Sequence, residues 1–336
     1  MRNRLCIFSI FILFNISTKA QYNYDRLWLT GDGPAGGTYI INDSVYVFGG
    51  TLLDFKENEP NQSLIDLKGS FGYGSNTMIS DAQGNLQFYV NGCSIWNHSR
   101  ALMASGDSLN FPSDLWYYQC SFERTNALGG IGYPAHKQGL LILPVPNSPT
   151  KYELFHLWAD GKTWNSKALM HTSVDMSKLN GLGAVTSKNN VIMMDSLSDG
   201  ITAVRHGNGR DWWVFTSVFG EDYAYLTRLT PQGVMPPKKT TSLGHWDGQD
   251  SGPYMIGQSA FSPDGNLFAR IDVVLDDKGD NNGLQIAHFD RCAGEFFCPI
   301  NIPWDFDIKD PDDYPGHAIY ACGVAFSPNS RFLYVS

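Results

Sequence analysis

The stretch Gly257-Gln-Ser-Ala-Phe-Ser-Pro-Asp-Gly-Asn-Leu-Phe-Ala-Arg-Ile271 decides the fold prediction, because it contains two apolar strands joined by a tight turn. Ser262-Pro-Asp-Gly265 supplies that turn, in which proline presets one φ angle and glycine accepts a positive one. The phrase recurs as Gly323-Val-Ala-Phe-Ser-Pro-Asn-Ser-Arg-Phe-Leu-Tyr-Val335. Two copies of one strand–turn–strand phrase in a single chain predict a repeat architecture.

Similar hairpins extend outward from this stretch, with turns about 60 residues apart after the first pair. The predicted hairpins are 38–48, 77–90, 140–158, 201–216, 259–271 and 323–335. Third strands are predicted at 94–96, 169–174, 223–227 and 284–289, and polar loop at 54–70. We therefore expect an all-β chain in which residues 38–336 form a β-propeller with blades of about four antiparallel strands.

The composition agrees with this fold class. Of the 336 residues, 43% are hydrophobic and 17% charged, so the chain has enough apolar side chains for a sizeable core. Its 34 glycines, 17 prolines and 13% aromatic residues suit short strands separated by turns. The net charge of −9 argues against nucleic-acid binding and against adsorption to anionic lipid, since both require a basic surface.

The N-terminus predicts export. Arg2 and Arg4 precede an apolar run over residues 5–16, and Thr18-Lys-Ala20 places small residues before a cut ahead of Gln21. We expect a cleaved signal peptide over 1–20, a lead-in over 21–37 and a secreted or cell-surface protein without membrane insertion. The alternative is an uncleaved anchor, although the run is shorter than the ~20 residues of a membrane span.

Five cysteines follow the signal peptide, so at least one is unpaired within the chain. Cys292 and Cys298 flank a predicted hairpin tip, which makes them candidates for a local disulfide bond. Buried free thiols are the alternative. A metal site fits less well, because the spacing is too long for a zinc knuckle and no histidine pair accompanies it.

Several longer phrases carry a family resemblance. They are the segment Ser80-Asp-Ala-Gln-Gly-Asn through Trp96-Asn97, the residues 173–183, the segment 197–216 and the two Ala-Phe-Ser-Pro copies. Over roughly residues 70–336 the chain resembles the N-terminal β-propeller (WD40-like) region of secreted gliding-motility-associated proteins with type IX sorting domains, from gliding-type bacteria. The resemblance implies secretion by that route but brings no catalytic motif.

The chain stops inside a strand pattern, so we expect an incomplete last blade and a covalent continuation into a longer product.

Aromatic side chains are the binding candidates. Trp116, Tyr117 and Tyr118 lie in a long insertion between hairpins, residues 99–138, and a loop that long is usually functional. Trp213 follows Trp212 in a strand, so the two point to opposite faces; one exposed ring could stack on sugar, with core packing as the alternative for each.

Other polar groups give weaker candidates. Asp276, Asp277 and Asp280 supply oxygen ligands for calcium, although no glutamate closes an EF-hand register and a solvated loop is the alternative. His206 lies in a turn, where a hydrogen bond to a neighbouring blade is more common than catalysis. We expect no other cofactor.

The leading hypothesis for function is a non-enzymatic extracellular binding or display module whose partner is a protein or a glycan. The alternatives are a propeller-type hydrolase of the lactonase or glycosidase kind, with a metal or carboxylate site, and a structural spacer. The predicted inner strands do not begin with a consistent acidic residue or histidine, which counts against the hydrolase.

Overall fold

The structure is a computed structural model. It describes residues 23–31, 37–41, 44–48, 50–57, 59–68, 75–120, 133, 138–162, 166–198, 200–219, 221–240, 243, 257–272, 283–303 and 323–336. The predicted signal peptide, residues 1–20, lies outside these ranges.

The described residues of the first part of the chain form three small antiparallel sheets and one helix. The elements are β1 (Leu27–Thr30), β2 (Gly37–Ile41), β3 (Ser44–Phe48), β4 (Gly50–Asp54), β5 (Asn61–Ile65), β6 (Thr77–Ser80), β7 (Leu86–Val90), β8 (Ile95–Asn97) and α1 (Asp114–Cys120). The sheet orders are β1-β4-β5, β2-β3 and β6-β7-β8. The prediction of a polar loop at 54–70 is wrong for residues 61–65, which form strand β5. The predicted lead-in, residues 21–37, contains strand β1.

Within the described ranges, the second part of the chain forms four antiparallel sheets, whose strands pair in chain order except that β17 pairs with β15. The first contains β9 (Leu140–Pro144), β10 (Lys151–Trp158), β11 (Ser166–Asp175) and β12 (Ala184–Leu197). The second contains β13 (Thr202–Arg205), β14 (Trp212–Ser217), β15 (Ala224–Thr230), β16 (Gly233–Val234) and β17 (Lys238–Lys239). The third contains β18 (Ser259–Phe261), β19 (Leu267–Asp272), β20 (Gly283–Asp290) and β21 (Glu295–Pro303). The last contains β22 (Val324–Phe326) and β23 (Leu333–Val335).

The fold class is all-β, built from several small antiparallel sheets, as the sequence predicts. Every predicted hairpin is present, and the long outer strands β12 and β21 are additional. A 3-10 turn at Leu179–Gly181 connects β11 to β12. No helix among the described residues is long and apolar enough to cross a membrane.

The two copies of the repeated phrase use the same turn chemistry. The Ser262 hydroxyl donates to Asp264 at 2.6 Å and accepts from the Leu267 amide at 2.9 Å. In the second copy Ser327 donates to Asn329 at 2.7 Å and accepts from the Phe332 amide at 2.9 Å. Each turn therefore satisfies its backbone groups with its own side chains.

The core lies between neighbouring sheets. Phe88 of β7 packs edge to face on Tyr152 of β10, with ring centroids 5.5 Å apart. Phe215 of β14 packs on Phe268 of β19 at 4.5 Å. These contacts join sheets that follow one another in the chain, so each sheet buries its faces against its sequence neighbours.

The first strands of successive sheets approach one another near their starts. Strand β6 lies beside β9, β13 beside β18, and β18 beside β22. The Gln138 side chain, just before β9, donates to the Ser259 carbonyl at 3.1 Å and accepts from its amide at 2.9 Å. Gln258 accepts from the Val324 amide at 2.9 Å. Glutamine side chains thus bridge the starts of different sheets.

Candidate functional site

The predicted binding residues Trp116, Tyr117 and Tyr118 lie in helix α1. Ser113 caps this helix, since its Oγ accepts a hydrogen bond from the Trp116 amide at 3.0 Å. Asp114 adds negative charge to the first turn, where helix amides favour it. The prediction that these aromatic residues lie on a loop is therefore wrong, because a seven-residue helix is too short to show a helical period in the sequence.

A disulfide bond ties the end of α1 to the turn after β7. It joins Cys93 to Cys120, which stand 27 residues apart. Beneath the helix, Leu115, Tyr133 and Ala159 form a buried cluster with Cys93. The Tyr133 hydroxyl donates to the Ala159 carbonyl and accepts from its amide, both at 2.7 Å, and burial raises the pKa of Tyr133 to about 12. The helix is thus held by a covalent bond and by a packed underside.

Four aromatic residues, Phe111, Trp116, Tyr117 and Tyr118, form what we call the aromatic surface. Tyr117 and Tyr118 are each 52% exposed and Phe111 is 41% exposed. The rings of Phe111, Trp116 and Tyr117 meet edge to face, with centroids 5.1 to 5.7 Å apart. The Trp116 indole donates to the Leu109 carbonyl at 2.7 Å. The surface is therefore aromatic and largely exposed, and the rings of Phe111, Trp116 and Tyr117 hold one another in place.

A buried hydrogen-bond network supports the chain just before α1. Asn110 is buried, and its Nδ2 donates to the Gly92 carbonyl at 3.0 Å, so its Oδ1 faces His156 Nδ1 at 2.6 Å as an acceptor. Burial lowers the pKa of His156 to about 3, which keeps the ring neutral at pH 7. The neutral ring therefore donates from Nδ1 and accepts at Nε2 from the Thr172 hydroxyl, 3.0 Å away.

Asn189 completes this network from strand β12. Its Oδ1 accepts from the Asn110 amide at 3.0 Å, and its Nδ2 donates to the Ser108 carbonyl at 3.2 Å and to the Phe111 carbonyl at 3.4 Å. Ser108 and Asn110 have positive φ angles of 54° and 64°, which side chains rarely adopt without outside support. The network therefore holds a strained segment that carries one edge of the aromatic surface.

Trp213, the other predicted binding residue, is buried at 7% exposure. Its indole donates to the Arg291 carbonyl at 2.8 Å, and the His206 ring lies 5.3 Å away. The prediction of a binding role is wrong for Trp213, because β14 is an inner strand with neighbouring sheets on both faces. Trp212 is only half-buried, and the Arg205 guanidinium lies 3.6 Å above its ring.

His206 acts within its own turn. Its Nδ1 lies 2.9 Å from the Asn208 amide, which donates to it. The histidine therefore stabilises its own turn and packs on Trp213 of the same sheet, whereas the sequence predicts a bond to a neighbouring sheet.

The predicted disulfide between Cys292 and Cys298 is not formed. Both residues are exposed free thiols. The Cys292 sulfur points at Gly207, whose backbone donates to the Arg291 carbonyl at 3.0 Å. Cys298 lies farther along β21, beside a register shift in the β20–β21 pairing. The two thiols thus lie beside different neighbours. The disulfide bond in the structure joins Cys93 to Cys120 instead.

One group of side chains invites comparison with a hydrolytic triad. Glu153 is buried, His171 Nδ1 lies 2.9 Å from its Oε2, and Ser173 Oγ donates to its Oε1 at 2.8 Å. In a triad the nucleophile contacts the histidine, which removes its proton. Here the serine and the histidine both contact the glutamate, so this group lacks that arrangement.

Metal ligands are not gathered in the described part of the chain, which contains no group of three or more His, Cys, Asp or Glu side chains placed to hold an ion. The calcium candidates Asp276, Asp277 and Asp280 lie outside the described residues, so calcium binding there stays a prediction.

Sequence reasoning missed several parts of this site. The Cys93–Cys120 bond had a usable signal, since one cysteine lies just before the insertion and the other inside it. The Asn110–His156 pair gave none, because the two residues are 46 positions apart in the chain, and Phe111 gave none because nothing marks it as part of the site before α1 is known.

Comparisons with known proteins add little. No family model and no curated protein matches the chain. Among solved structures, an AofleA mutant from Arthrobotrys oligospora is 12% identical, with 81% of this chain and 73% of that chain covered and a TM-score of 0.33. An oligogalacturonate lyase in complex with manganese is 12% identical over 85% and 78%, with a TM-score of 0.31. A puromycin hydrolase is 12% identical over 80% and 39%, with a TM-score of 0.31. Such low scores support no conclusion about fold, ligand or activity.

Proposed function

We propose that this chain is an extracellular β-propeller that serves as a non-enzymatic binding or display module of a larger secreted or cell-surface protein. Its partner is a protein or a glycan, which it contacts through the aromatic surface. The family resemblance supports export and a covalent continuation of the chain.

The arrangement of the sheets supports the propeller. Each blade of a propeller begins at the centre, so the first strands of successive blades lie beside one another around one axis. Strands β6 and β9, β13 and β18, and β18 and β22 are such neighbours. Gln138 reaches Ser259 across the start of the intervening sheet, where the Ile201 amide donates to the Gln138 carbonyl at 2.9 Å. The first strands of three sheets, β9, β13 and β18, therefore begin close together, as the inner strands of blades around a common axis do.

The disulfide bond supports an extracellular site of action. Disulfides persist in oxidising compartments and are rare in the reducing cytosol. Cys93 and Cys120 are bonded in the structure. The bond fastens the segment that carries the aromatic surface, so its loss would act first on that segment.

The observation that carries the binding function is the fixed exposure of Tyr117 and Tyr118, each 52% exposed on a helix that is fastened below and at its end. Aromatic side chains are enriched at binding hot spots. A surface that is already ordered loses little conformational entropy when a partner docks. A structural spacer would have no need for such a surface.

The test is a side-chain variant. A deletion of residues 105–130 would remove the aromatic surface but also the buried residues Leu109 and Asn110, which support the fold. The variant Tyr117→Ala/Tyr118→Ala removes only exposed rings and is therefore the sharper test. Phe332→Ala, at a residue 57% exposed, serves as a matched control. Pull-downs from extracellular fractions and glycan arrays should show partners that the control keeps and the double variant loses. Equal binding by all three proteins would contradict the proposal.

A further inference from the structure

Trp28 on strand β1 is a second exposed aromatic residue that is fixed in place. It is 57% exposed, whereas Leu27 and Leu29 on either side are buried. Its indole N–H donates to the Asp25 carbonyl at 3.1 Å, and its ring lies 5.0 Å from that of Phe55. Since a held tryptophan loses little conformational entropy on binding, this residue is already ordered for a ligand.

One side of Trp28 borders an apolar cleft of about 610 Å³ between strands β1, β6 and β9. Its walls include Leu53, Met78, Leu141 and the ring of Trp212. A volume of this size lies within the ~300–1,000 Å³ usual for small-ligand sites. The cleft therefore offers an apolar surface next to an exposed indole.

A second cleft of about 590 Å³ also borders Trp28, and its lining combines the rings of Trp28 and Phe55 with polar side chains. Asn23, Arg26, Lys56 and Gln83 line it. Arg26 is engaged by Asp54 through two bonds of 2.7 and 2.6 Å. The Gln83 backbone N–H donates to Asp81 at 2.9 Å, but the Gln83 side chain and the Lys56 ammonium make no hydrogen bond to any residue that the structure describes, so both are available to a ligand.

The charges around Trp28 leave no excess of cations. Arg26 is paired with Asp54, Lys56 is offset by Asp25, which borders both clefts, and Glu57 adds a further negative charge close enough to act on Arg26. An anionic ligand would find no net positive field. A wholly apolar ligand would have to remove water from Lys56 and Gln83 without replacing their hydrogen bonds, which is costly. The ligand should be neutral, with an apolar face and several hydroxyls.

We propose that Trp28 and its two clefts form a saccharide-binding site, separate from the aromatic surface on α1. A pyranose ring has C–H groups on its faces and hydroxyls around its edge. The C–H face stacks on the indole, whose ring face is electron-rich. The edge hydroxyls bond to Gln83, Asn23 and Lys56, which can donate hydrogen bonds, and to the Asp25 carboxylate, which accepts them.

The experiment uses the intact mature chain on a microarray of neutral oligosaccharides, anionic oligosaccharides and tryptophan-containing peptides, followed by calorimetric titration with the strongest neutral saccharide. Trp28→Ala should weaken saccharide binding at least about tenfold. Trp28→Phe should keep part of it, and Gln83→Ala should weaken it less. Circular dichroism and melting curves check that each variant is folded.

Two controls separate this site from the one on α1. Phe332→Ala removes a ring of equal exposure, 57%, and should leave saccharide binding unchanged. A saccharide that binds to the aromatic surface would instead lose binding in Tyr117→Ala/Tyr118→Ala and keep it in Trp28→Ala, so ligands of the two sites give opposite patterns. Three outcomes would overturn the inference: no neutral saccharide binds, binding survives Trp28→Ala, or the Trp28-dependent ligands are only peptides. Should Trp28→Ala not fold, undiminished binding by Gln83→Ala and Trp28→Phe together would overturn it as well.

Discussion

The turn at residues 262–265 and the segment before α1 are both held by polar side chains, but over very different distances in the chain. Ser262 bonds to a backbone group five residues away. Asn110 bonds to His156, 46 residues away, and to Asn189, 79 residues away. The repeated hairpins thus depend on local chemistry, whereas the insertion depends on tertiary contacts. We expect the insertion to be far more sensitive to single substitutions.

The largest effect is expected from Gly92→Ala. Gly92 has a φ of 81°, and an added Cβ would lie 1.4 Å from the Tyr133 carbonyl oxygen, which is backbone and cannot rotate away. The free energy of unfolding should fall by more than about 4 kcal/mol in urea titrations, which is the range of severe steric conflicts.

The matched control is Gly209→Ala in the hairpin turn between β13 and β14. Gly209 has a similar φ of 72°, but an added Cβ would meet no atom within 4 Å. Its cost should be about 1 kcal/mol, from backbone strain alone. Equal losses in the two variants would mean that the packing of the insertion against the turn after β7 constrains the chain no more than a hairpin turn does.

Removal of the disulfide should come next in size. The Cys93–Cys120 bond closes a loop of 27 residues, so the Cys93→Ser/Cys120→Ser variant should lose about 3 kcal/mol through the greater freedom of its unfolded chain. Hydrogen exchange should rise in residues 105–120 and stay unchanged in β13–β15. A uniform rise across the chain would contradict the separation between insertion and hairpins.

Acidification should act through His156. Its pKa is about 3 in the folded protein against 6.5 ordinarily, because burial disfavours the charged ring. Below pH 6.5 the unfolded chain takes up a proton and the folded protein does not, so stability falls with pH by about 1.4 kcal/mol per unit, or about 2 kcal/mol at pH 5. Above pH 6.5 His156 is neutral in the folded and the unfolded protein, so its contribution to the free energy of unfolding no longer changes with pH.

The neutral variant His156→Gln isolates that contribution. Glutamine has both a donor and an acceptor and does not titrate in this range. Urea titrations at pH 7, 6 and 5 should show a steeper decline for the native protein than for the variant. Parallel declines would mean that His156 is protonated in the folded protein.

The smallest effect on stability is expected from the aromatic surface itself. Tyr117 and Tyr118 are half-exposed, so their joint replacement by alanine should change the free energy of unfolding by less than about 1 kcal/mol. Thermal melts of the variant and the native protein would check this. A large destabilisation would mean that the two rings serve packing and not binding.

Local signals explain which strands could be predicted. The strands of the repeated hairpins combine apolar alternation with turns such as 262–265, and these strands were predicted, whereas β1 and β4 of the first sheet were not. Strand β5 (Asn61–Ile65) was missed because four of its five residues are exposed and it reads as polar loop. Most residues of the outer strands are half-buried in β12 and exposed in β21, so their sequence carries little alternation. What defines them is backbone pairing to a neighbour.

The site was less predictable than the fold. The sequence indicated the insertion and the run Trp116-Tyr-Tyr118, since aromatic residues in a long irregular segment stand out. It could not separate buried Trp213 from exposed Trp28, because burial depends on which sheet covers each strand. It also could not choose between cysteine pairs, since sequence separation does not give distance in the fold.

The central claim is that the insertion presents a fixed aromatic surface to a partner while the sheets act as its scaffold. The most direct test measures binding and circular dichroism for the native protein, Tyr117→Ala/Tyr118→Ala and Cys93→Ser/Cys120→Ser, against the partners recovered with the native chain. Both variants should keep the β spectrum, with binding lost in the first and weakened in the second. Native-like binding by the tyrosine variant would contradict the claim.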